Sequence, residues 1–296
     1  MMNGQETTTP IECASSVPLF ILHWNRPEEC LRTVQEFRKQ SVPLDIHVID
    51  NASEPAALRV LESRLPSGCR LVEMQENKGW GGAFNVVLQE WLSGSGNEFC
   101  LIAAHDAVPG EGCIELLLDG MKDSRIGIAC PEYGVPEVPH FSNLRYFRTS
   151  AVEARPRGTT EEIDIPHGTL MIFRKQCLRD IGLFDERYFA YGDEHELGLR
   201  ARRHNWKVIV VWGAVVENLG TWTASHTRSY LFARNSLLLI RTYAGWRWAA
   251  VRLLLMLPNT IRMLVVPPNR EYAFSAGARI LAIRDFLLGR YGPPPK

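Results

Sequence analysis

The chain has 296 residues, of which 46% are hydrophobic and 22% are charged, so it can form a large buried core. Lysine plus arginine balance aspartate plus glutamate at 33 each, which excludes a global basic field and argues against a nucleic-acid partner. Seven cysteines stand singly without a Cys-x-x-Cys pair, which argues against a disulfide framework and a zinc site. The polar start lacks a signal-peptide core, so we expect a flexible N-terminus over 1–16 and a cytoplasmic location.

Short apolar runs alternate with helical patterns through the first hundred residues. Strands are predicted over 17–22, 46–50, 70–74 and 98–103, and helices over 27–40 and 83–92. This alternation predicts βαβ units and an α/β fold with a mostly parallel central sheet flanked by helices. Ligands bind at the carboxyl ends of such strands. Three polar groups follow predicted strand ends and form a candidate site: Asp50 with Asn51, residues 77–82, and His105 with Asp106.

The middle of the chain is irregular, and helical patterns return after it. Residues 133–162 are polar and contain several prolines and arginines, which predicts a long functional loop. An apolar run over 166–173 follows, with helices predicted over 175–181 and up to about 205, and a strand over 207–212.

Residues 228–292 are mostly helical in pattern and rich in Leu, Arg and Trp. Pro258 and Arg262 interrupt the apolar stretch, which we expect to fall short of a membrane-spanning helix. Trp and Arg flanking Leu suit an interfacial helix at the inner face of the plasma membrane. Packing on its own domain is the alternative, and the sequence leaves both open.

Five carboxylates crowd the segment 184–197, which raises some of their pKa values and suggests acid–base chemistry. Asp193 and Glu196 have capping-box spacing, and Glu196 forms an i,i+4 pair with Arg200. Glu194 is not explained in this way. It falls in the first turn of the predicted helix, where a carboxylate is favoured and available as a base.

The other polar groups each have two interpretations. Asp50 suits a ribose or base contact, and equally a turn or helix cap. The run that begins at Gly79 resembles a phosphate cradle at a helix N-terminus, although it matches no established phosphate motif. His105 and Asp106 suit a divalent metal that binds mainly through phosphate oxygens, and equally a turn cap.

In order and spacing, these segments resemble family 2 of the inverting nucleotide-sugar glycosyltransferases, which have a GT-A fold, and in particular its rhamnosyltransferase-like enzymes of bacterial surface polysaccharides. The matching segments are 21–26, 48–53 (VIDNAS), 77–85 (NKGWGGAFN) and 167–200, with Arg234-Asn235 further on. The resemblance implies a catalytic domain over 17–240, with a nucleotide-sugar half over 17–130 and an acceptor half over 131–240. A helical C-terminal extension would follow over 241–296.

The resemblance also implies roles for matching residues. Glu194 corresponds to the base that deprotonates the acceptor hydroxyl, flanked by Asp193. The donor would contact a larger group: Asn25, Asp50, Asn77, Gly79, Asn85, His105 and Asp106. Asp106 is the one acid left of a metal-binding Asp-x-Asp, and Glu217 stands where a metal-site histidine is often found. Mg²⁺ or Mn²⁺ is the implied cofactor, and the base is a Glu where the family has Asp.

The expected function is therefore transfer of a sugar from a UDP-, dTDP- or GDP-linked donor to a saccharide or lipid-linked acceptor, with inversion at the anomeric carbon. Two alternatives remain open at the level of sequence. One is a sugar-phosphate nucleotidyltransferase, although a Gly-rich loop with Lys or Arg is missing at the first strand. The other is a non-catalytic nucleotide-binding relative, motivated by the altered metal and base positions.

Overall fold

The computed structural model describes residues 16–133, 137–153, 155–218, 223–265 and 274–295. The strands are β1 Val17–His23, β2 Leu44–Asp50, β3 Arg70–Glu73, β4 Phe99–Ala104, β5 Ala107–Pro109, β6 Ile126–Tyr133, β7 Glu137–Asn143, β8 Arg148–Glu153, β9 Thr160–Glu162, β10 Leu170–Arg174 and β11 Lys207–Asn218. The helices are α1 Pro27–Arg38, α2 Pro55–Arg64, α3 Gly79–Ser93, α4 Cys113–Gly120, α5 Lys175–Ile181, α6 Asp193–Arg203, α7 Ser225–Ala244, α8 Trp246–Val265 and α9 Ala276–Leu287.

Nine of these strands form one sheet in the order β3-β2-β1-β4-β10-β6-β11-β5, with β9 pairing β11. The strands β3, β2, β1 and β4 are parallel to one another, and β6 is parallel to β11. The strand β10 runs antiparallel to both β4 and β6, so the two parallel sets share one direction. The expectation of a mostly parallel α/β sheet is confirmed.

Helices cover both faces of the sheet, which explains why its central strands are continuous apolar runs. Phe84 of α3, Leu178 of α5 and Leu197 of α6 belong to the core on one face. The core on the other face includes Phe37 of α1 and Leu117 of α4.

The last three helices form a separate apolar cluster. It contains Tyr230 and Ile240 of α7, Met256 of α8 and Phe286 of α9. The predicted boundary at residue 240 falls near the end of α7, and the division into domains stays a prediction. The predicted flexible segment 1–16 lies outside the described residues except for Ser16.

Several elements differ from the expectations. The prediction of a long loop over 133–162 was wrong. That region contains the antiparallel hairpin β7–β8, a 3-10 turn Leu144–Tyr146 and the short strand β9. We did not predict α2, α4 or the short strand β5. The central strand β6 was also missed, because Pro131 interrupts its short apolar run.

The helix α3 begins at Gly79, four residues before its predicted start, so the glycine run forms its first turn. The helix α8 is continuous through Pro258 over 20 residues, and it is the one described helix long and apolar enough to cross a membrane. The expectation that Pro258 and Arg262 would leave too short a stretch was therefore wrong.

Candidate functional site

A buried hydrogen-bond network joins the carboxyl ends of β1 and β2. His23 Nδ1 lies 2.8 Å from Asp50 Oδ1, and the backbone N–H of Arg26 donates to His23 Nε2. Nε2 is therefore an acceptor, so Nδ1 carries the proton and donates to Asp50. Ser53 N–H donates to the other Asp50 oxygen at 3.0 Å. Burial alone would raise the pKa of Asp50, but the hydrogen bonds from His23 and Ser53 outweigh burial and lower it.

Asn25 lies in the turn after β1 and connects it to the turn after β2. Its backbone N–H donates to Ser53 Oγ at 2.8 Å, and its side-chain oxygen accepts from Glu54 N–H at 2.7 Å. Asn25 and Ala52 both adopt left-handed backbone conformations, with φ of 56° and 57°. Such conformations are costly for residues with a Cβ and concentrate at functional sites. The polar turns at these two strand ends are thus fixed in place before any ligand binds.

Two asparagines shape the turn that leads into α3. Asn51 donates to Asn77 Oδ1 at 3.1 Å and to the Gly79 carbonyl at 3.0 Å. Asn51 Oδ1 accepts from Lys78 N–H, and Asn77 Oδ1 accepts from Gly79 N–H. Asn77 therefore lies at the predicted sheet edge and orients the start of α3.

The glycines of α3 allow the loop before α6 to approach closely. Gly79 has a φ of +75°, and a Cβ there would overlap the Phe189 carbonyl oxygen. That oxygen accepts from Trp80 N–H, and Asp193 Oδ2 accepts from Gly81 N–H at 3.0 Å. The first N–H groups of α3 thus bind the protein's own acceptors. The phosphate cradle expected at Gly79 is therefore corrected to a packing site.

Asn85 also belongs to this packing surface. Its side chain donates to the Phe184 carbonyl and to Glu186, and accepts from Phe184 N–H at 2.9 Å. The residue ties α3 to the start of the acidic segment. The structure therefore gives Asn85 a positioning role between the two halves of the sheet.

Two neighbouring residues of α7 hold the loop that precedes α6. Asn235 Nδ2 lies 2.8–2.9 Å from the carbonyl oxygens of Tyr188, Ala190 and Tyr191. The fully buried Arg234 donates to the Tyr188 carbonyl at 3.1 Å. These two side chains satisfy carbonyl groups that would otherwise be costly to bury.

The helix α6 begins with two adjacent carboxylates in different environments. Asp193 is 1% exposed, and burial together with the charge of Glu194 holds its pKa well above its usual range. Glu194 is 17% exposed, and His195 Nδ1 lies 3.3 Å from its Oε1. Burial opposes ionisation of Glu194, but the neighbouring His195 outweighs burial and lowers the pKa of Glu194. Of the pair, Glu194 is therefore the more readily ionised carboxyl group.

The expected capping box at this helix was wrong. The N-cap is Gly192, with a φ of 106°, and no side chain caps the helix. Asp193 reaches across to α3 instead. The predicted pair is present, because Glu196 binds Arg200 through both oxygens, and Tyr243 of α7 donates to Glu196 Oε1 at 2.8 Å.

His105 and Asp106 follow β4 at the same edge of the sheet. Burial lowers the pKa of His105 to about 4 and raises the pKa of Asp106 to about 6. The side chain beside Asp106 is Asn218, with its Nδ2 3.4 Å from Asp106 Oδ1. Glu217 is exposed and, because strand side chains alternate, projects from the other face of β11. The structure therefore places Asn218, and not Glu217, beside Asp106, and the metal-ligand role expected for Glu217 stays a prediction that this geometry does not favour.

Tyr191 and His167 are two further side chains whose pKa values are shifted by burial. Burial is the main cause that raises the pKa of Tyr191, and the charges of Glu194 and Asp106 add smaller effects in the same direction. His167 is buried and hydrogen-bonded to the Pro131 carbonyl. Burial lowers the pKa of His167 to about 4, against smaller opposing effects of that hydrogen bond and of Glu194.

Sequence reasoning missed five residues here: His23, His167, Tyr191, His195 and Asn218. His23 could have been found, because it directly follows the predicted strand 17–22, at the same edge of the predicted sheet as Asp50. Tyr191 and His195 lay within the acidic segment but carry no pattern of their own. His167 and Asn218 could not have been found. The position of His167 depends on the antiparallel strand β10, and that of Asn218 depends on the register of β11 with β5.

Comparisons with known proteins agree on one family. The model of the glycosyltransferase-like family 2 matches residues 15–241. An N-acetylglucosaminyl-diphospho-decaprenol L-rhamnosyltransferase of Mycobacterium tuberculosis is 23% identical in an alignment of 243 residues that covers 71% of this chain and 79% of that protein.

Solved structures with the same fold include a mannosyltransferase from Pyrobaculum calidifontis in complex with GDP-Man and Mn²⁺. It has a TM-score of 0.59 and 17% identity, covering 93% of this chain and 87% of that one. Another is GalNAc-T7 with UDP, GalNAc and Mn²⁺, with a TM-score of 0.63 and 14% identity, covering 95% of this chain and 59% of that one. The expected GT-A fold is confirmed.

Replacing Gly79 with alanine tests the close contact between α3 and the loop. We expect Gly79→Ala to lower the free energy of unfolding by about 2–4 kcal/mol, because a Cβ is strained at this φ and overlaps the Phe189 carbonyl. Urea unfolding measures the loss. Gly96→Ala is the control, since a Cβ there meets nothing within 4 Å. Equal stability of the two variants would contradict the contact.

The buried histidines predict loss of stability in acid. The pKa of His167 is about 4 in the folded chain and about 6.5 when unfolded, so protonation favours unfolding as pH falls through this range. His105 acts in the same direction, each by on the order of 2–3 kcal/mol. Asp106, with its raised pKa, offsets part of this loss below about pH 6.

Urea unfolding between pH 7 and pH 4 measures this effect. We expect His167→Gln to reduce the pH dependence, whereas His226→Gln, which replaces an exposed imidazole, leaves it unchanged. A His167 variant with the full wild-type pH dependence would exclude this histidine as a cause.

Proposed function

Because this chain belongs to the glycosyltransferase-like family 2, we propose that its candidate site transfers a sugar from a nucleotide-sugar donor to an acceptor hydroxyl with inversion at the anomeric carbon. The observation that carries the proposal is the position of Glu194 in the first turn of α6, with His195 Nδ1 3.3 Å from its Oε1 and with the neighbouring Asp193 bound to Gly81 N–H. An ionised carboxylate is what a general base requires. The family assignment favours this reaction over the nucleotidyltransferase alternative.

In the proposed reaction, Glu194 accepts the proton of the acceptor hydroxyl as that oxygen attacks the anomeric carbon. The bond from that carbon to the diphosphate breaks in the same displacement, and the nucleoside diphosphate leaves. Asp193 does not receive this proton, because it is 1% exposed and its Oδ2 already accepts from Gly81 N–H. Its role is to position the base and the first turn of α3.

We assign the nucleoside half of the donor to the ends of β1 and β2 and to the turn that leads into α3. Asn25 and Asp50 lie at the two strand ends and Asn77 lies in that turn, all fixed by hydrogen bonds within the protein. Both oxygens of Asp50 already accept hydrogen bonds, and Asp50 is 1% exposed. We therefore propose that Asp50 shapes the nucleoside site chiefly through His23 and Ser53.

The residues around Asp106 fit a divalent cation in part. Burial disfavours the charge of the Asp106 carboxylate, and a cation would compensate it. The described residues contain no cluster of three or more His, Cys, Asp or Glu side chains that could hold a metal alone. Asp106 and Asn218 would thus hold Mg²⁺ or Mn²⁺ together with the donor diphosphate. When bound, the metal would neutralise charge on the leaving diphosphate.

The substrates are proposed from the relatives. A UDP-, GDP- or dTDP-linked sugar is the donor, and a lipid-linked saccharide is the acceptor. The protein would then act as a cytoplasmic enzyme, peripheral at the inner face of the membrane that holds the acceptor.

The variant Glu194→Gln tests the base. We expect kcat to fall by about 10²–10⁴-fold, because the amide cannot accept the proton, whereas donor binding is retained. Release of nucleoside diphosphate measures turnover, and calorimetry with the nucleotide sugar measures binding. Glu90→Gln, on the exposed side of α3, is the control. Wild-type turnover of the Glu194 variant would remove this residue from the mechanism.

The variant Asp106→Asn tests the metal site. We expect the Mn²⁺ concentration needed for half-maximal transfer to rise by at least about tenfold, because the anionic ligand is lost. Glu217→Gln is the matched control, since its side chain projects from the other face of β11. A larger effect of the Glu217 variant would instead place the metal at Glu217.

A further inference from the structure

The helix α8 turns an apolar face outward. Leu254 is 66% exposed, Ile261 62% and Val265 75%, and all three follow helical spacing. Leu257 and Leu264 lie on the same side and are also largely exposed. A continuous exposed apolar surface of this kind marks an interaction site rather than an ordinary solvated helix.

The opposite face of α8 is held by the protein along its length. Ala249, Met256 and Thr260 are buried against the C-terminal cluster. Trp248 stacks edge-on with Tyr146, with ring centroids 5.2 Å apart. A helix that crosses a bilayer alone is surrounded by lipid, whereas α8 packs on the protein with one side and exposes only the other side. The geometry therefore suits a helix lying along a surface.

The distribution of charge in the C-terminal part of the chain indicates what kind of surface this face of α8 would contact. Residues 225–296 contain eleven lysines and arginines but two acids, a net charge of +9 in a chain whose total is zero. The helix α8 itself contains three arginines and no acid, and Arg247 and Arg262 are both exposed. An outward apolar face beside exposed arginines complements a membrane with anionic lipids.

We propose that the outward face of α8 docks flat on an anionic lipid membrane. Leu254, Leu257, Ile261 and Leu264 enter the boundary between headgroups and acyl chains. Arg247 and Arg262 contact the headgroups. This docking needs no substrate and does not depend on the transferase reaction.

The same helix lies next to the acceptor side of the site. Arg252 of α8 stacks over the ring of Phe147 at 5.0 Å, and Phe147 lies 5.5 Å from Phe141 of β7. Phe141 in turn lies 5.9 Å from His195, beside Glu194. The hairpin β7–β8 thus lies between the docking helix and His195, the residue next to the proposed base. Docking through α8 would bring Glu194 close to the membrane surface, and this last step rests on the proposed function.

Vesicle flotation of the full chain tests the docking. The probes are vesicles of phosphatidylcholine alone and of phosphatidylcholine with phosphatidylglycerol. We expect the wild type to bind the anionic vesicles, with binding that weakens as salt increases. The double variant Leu254→Ser/Ile261→Ser should lose vesicle binding by at least about tenfold, because it removes two apolar side chains that would be buried in the membrane. The double variant Arg247→Gln/Arg262→Gln should lose vesicle binding by about fivefold per arginine.

Val86→Ser is the matched control, because Val86 is an exposed apolar residue on a different helix, α3. Thermal unfolding and transfer to a water-soluble acceptor show whether each variant is folded and active, so a loss of docking is distinguishable from a loss of activity. Unchanged vesicle binding in both double variants would overturn the proposal. A wild type that stays off vesicles and dimerises, with a monomeric Leu254/Ile261 variant, would assign this face to a second copy of the chain.

Discussion

The contact between Asn235 and the carbonyl groups of the loop before α6 is the constraint on which the rest of the site depends. Phe189, Tyr191 and Gly192 all have left-handed backbone conformations, and each non-glycine case costs about 1–3 kcal/mol. Such a loop persists only where its surroundings fix it. Asn235 and the buried Arg234 do so from α7, a helix that continues into the C-terminal cluster. The acceptor side of the site is therefore supported from the C-terminal half of the chain.

This constraint decides how the N-terminus of α3 is used. Once Asn235 fixes the loop, the Phe189 carbonyl and the Asp193 carboxylate come to the first N–H groups of α3. A helix N-terminus attracts anions, and here the anion-binding groups are occupied by the protein's own acceptors. The glycines of this turn are required for that approach. Glycines in a phosphate loop let an anion approach the backbone N–H groups. The glycines of α3 let the protein's own acceptors approach in the same way.

Much of the fold could be predicted because it follows from local pattern, and most failures concern contacts between distant segments. The segments that form β1, β2 and β4 are short but recognisable as strands, and Asp50 ends a strand by sequence alone. The strand β6 was missed because Pro131 breaks its pattern, although pairing with β10 and β11 makes it central. Whether Asn218 or Glu217 lies beside Asp106 depends on the register of β11, because a shift of one residue would exchange the faces on which the two side chains lie. The resemblance to a known family located Glu194, but only the structure reveals Asp193 reaching α3.

Glu194, the proposed base, stands where the resemblance implies Asp, and the residues around it accommodate its longer side chain. Asp193, with the shorter side chain, reaches Gly81 N–H only because Gly81 has no side chain and lies against Phe184, where a Cβ would come within 2.6 Å. Glu194 has one methylene more, and its Oε2 turns back to accept from Gly192 N–H at 3.1 Å. That return contact requires the positive φ of Gly192, which Asn235 maintains through the neighbouring Tyr191 carbonyl. The longer side chain of Glu194 is thus bound by the same strained loop that positions this residue.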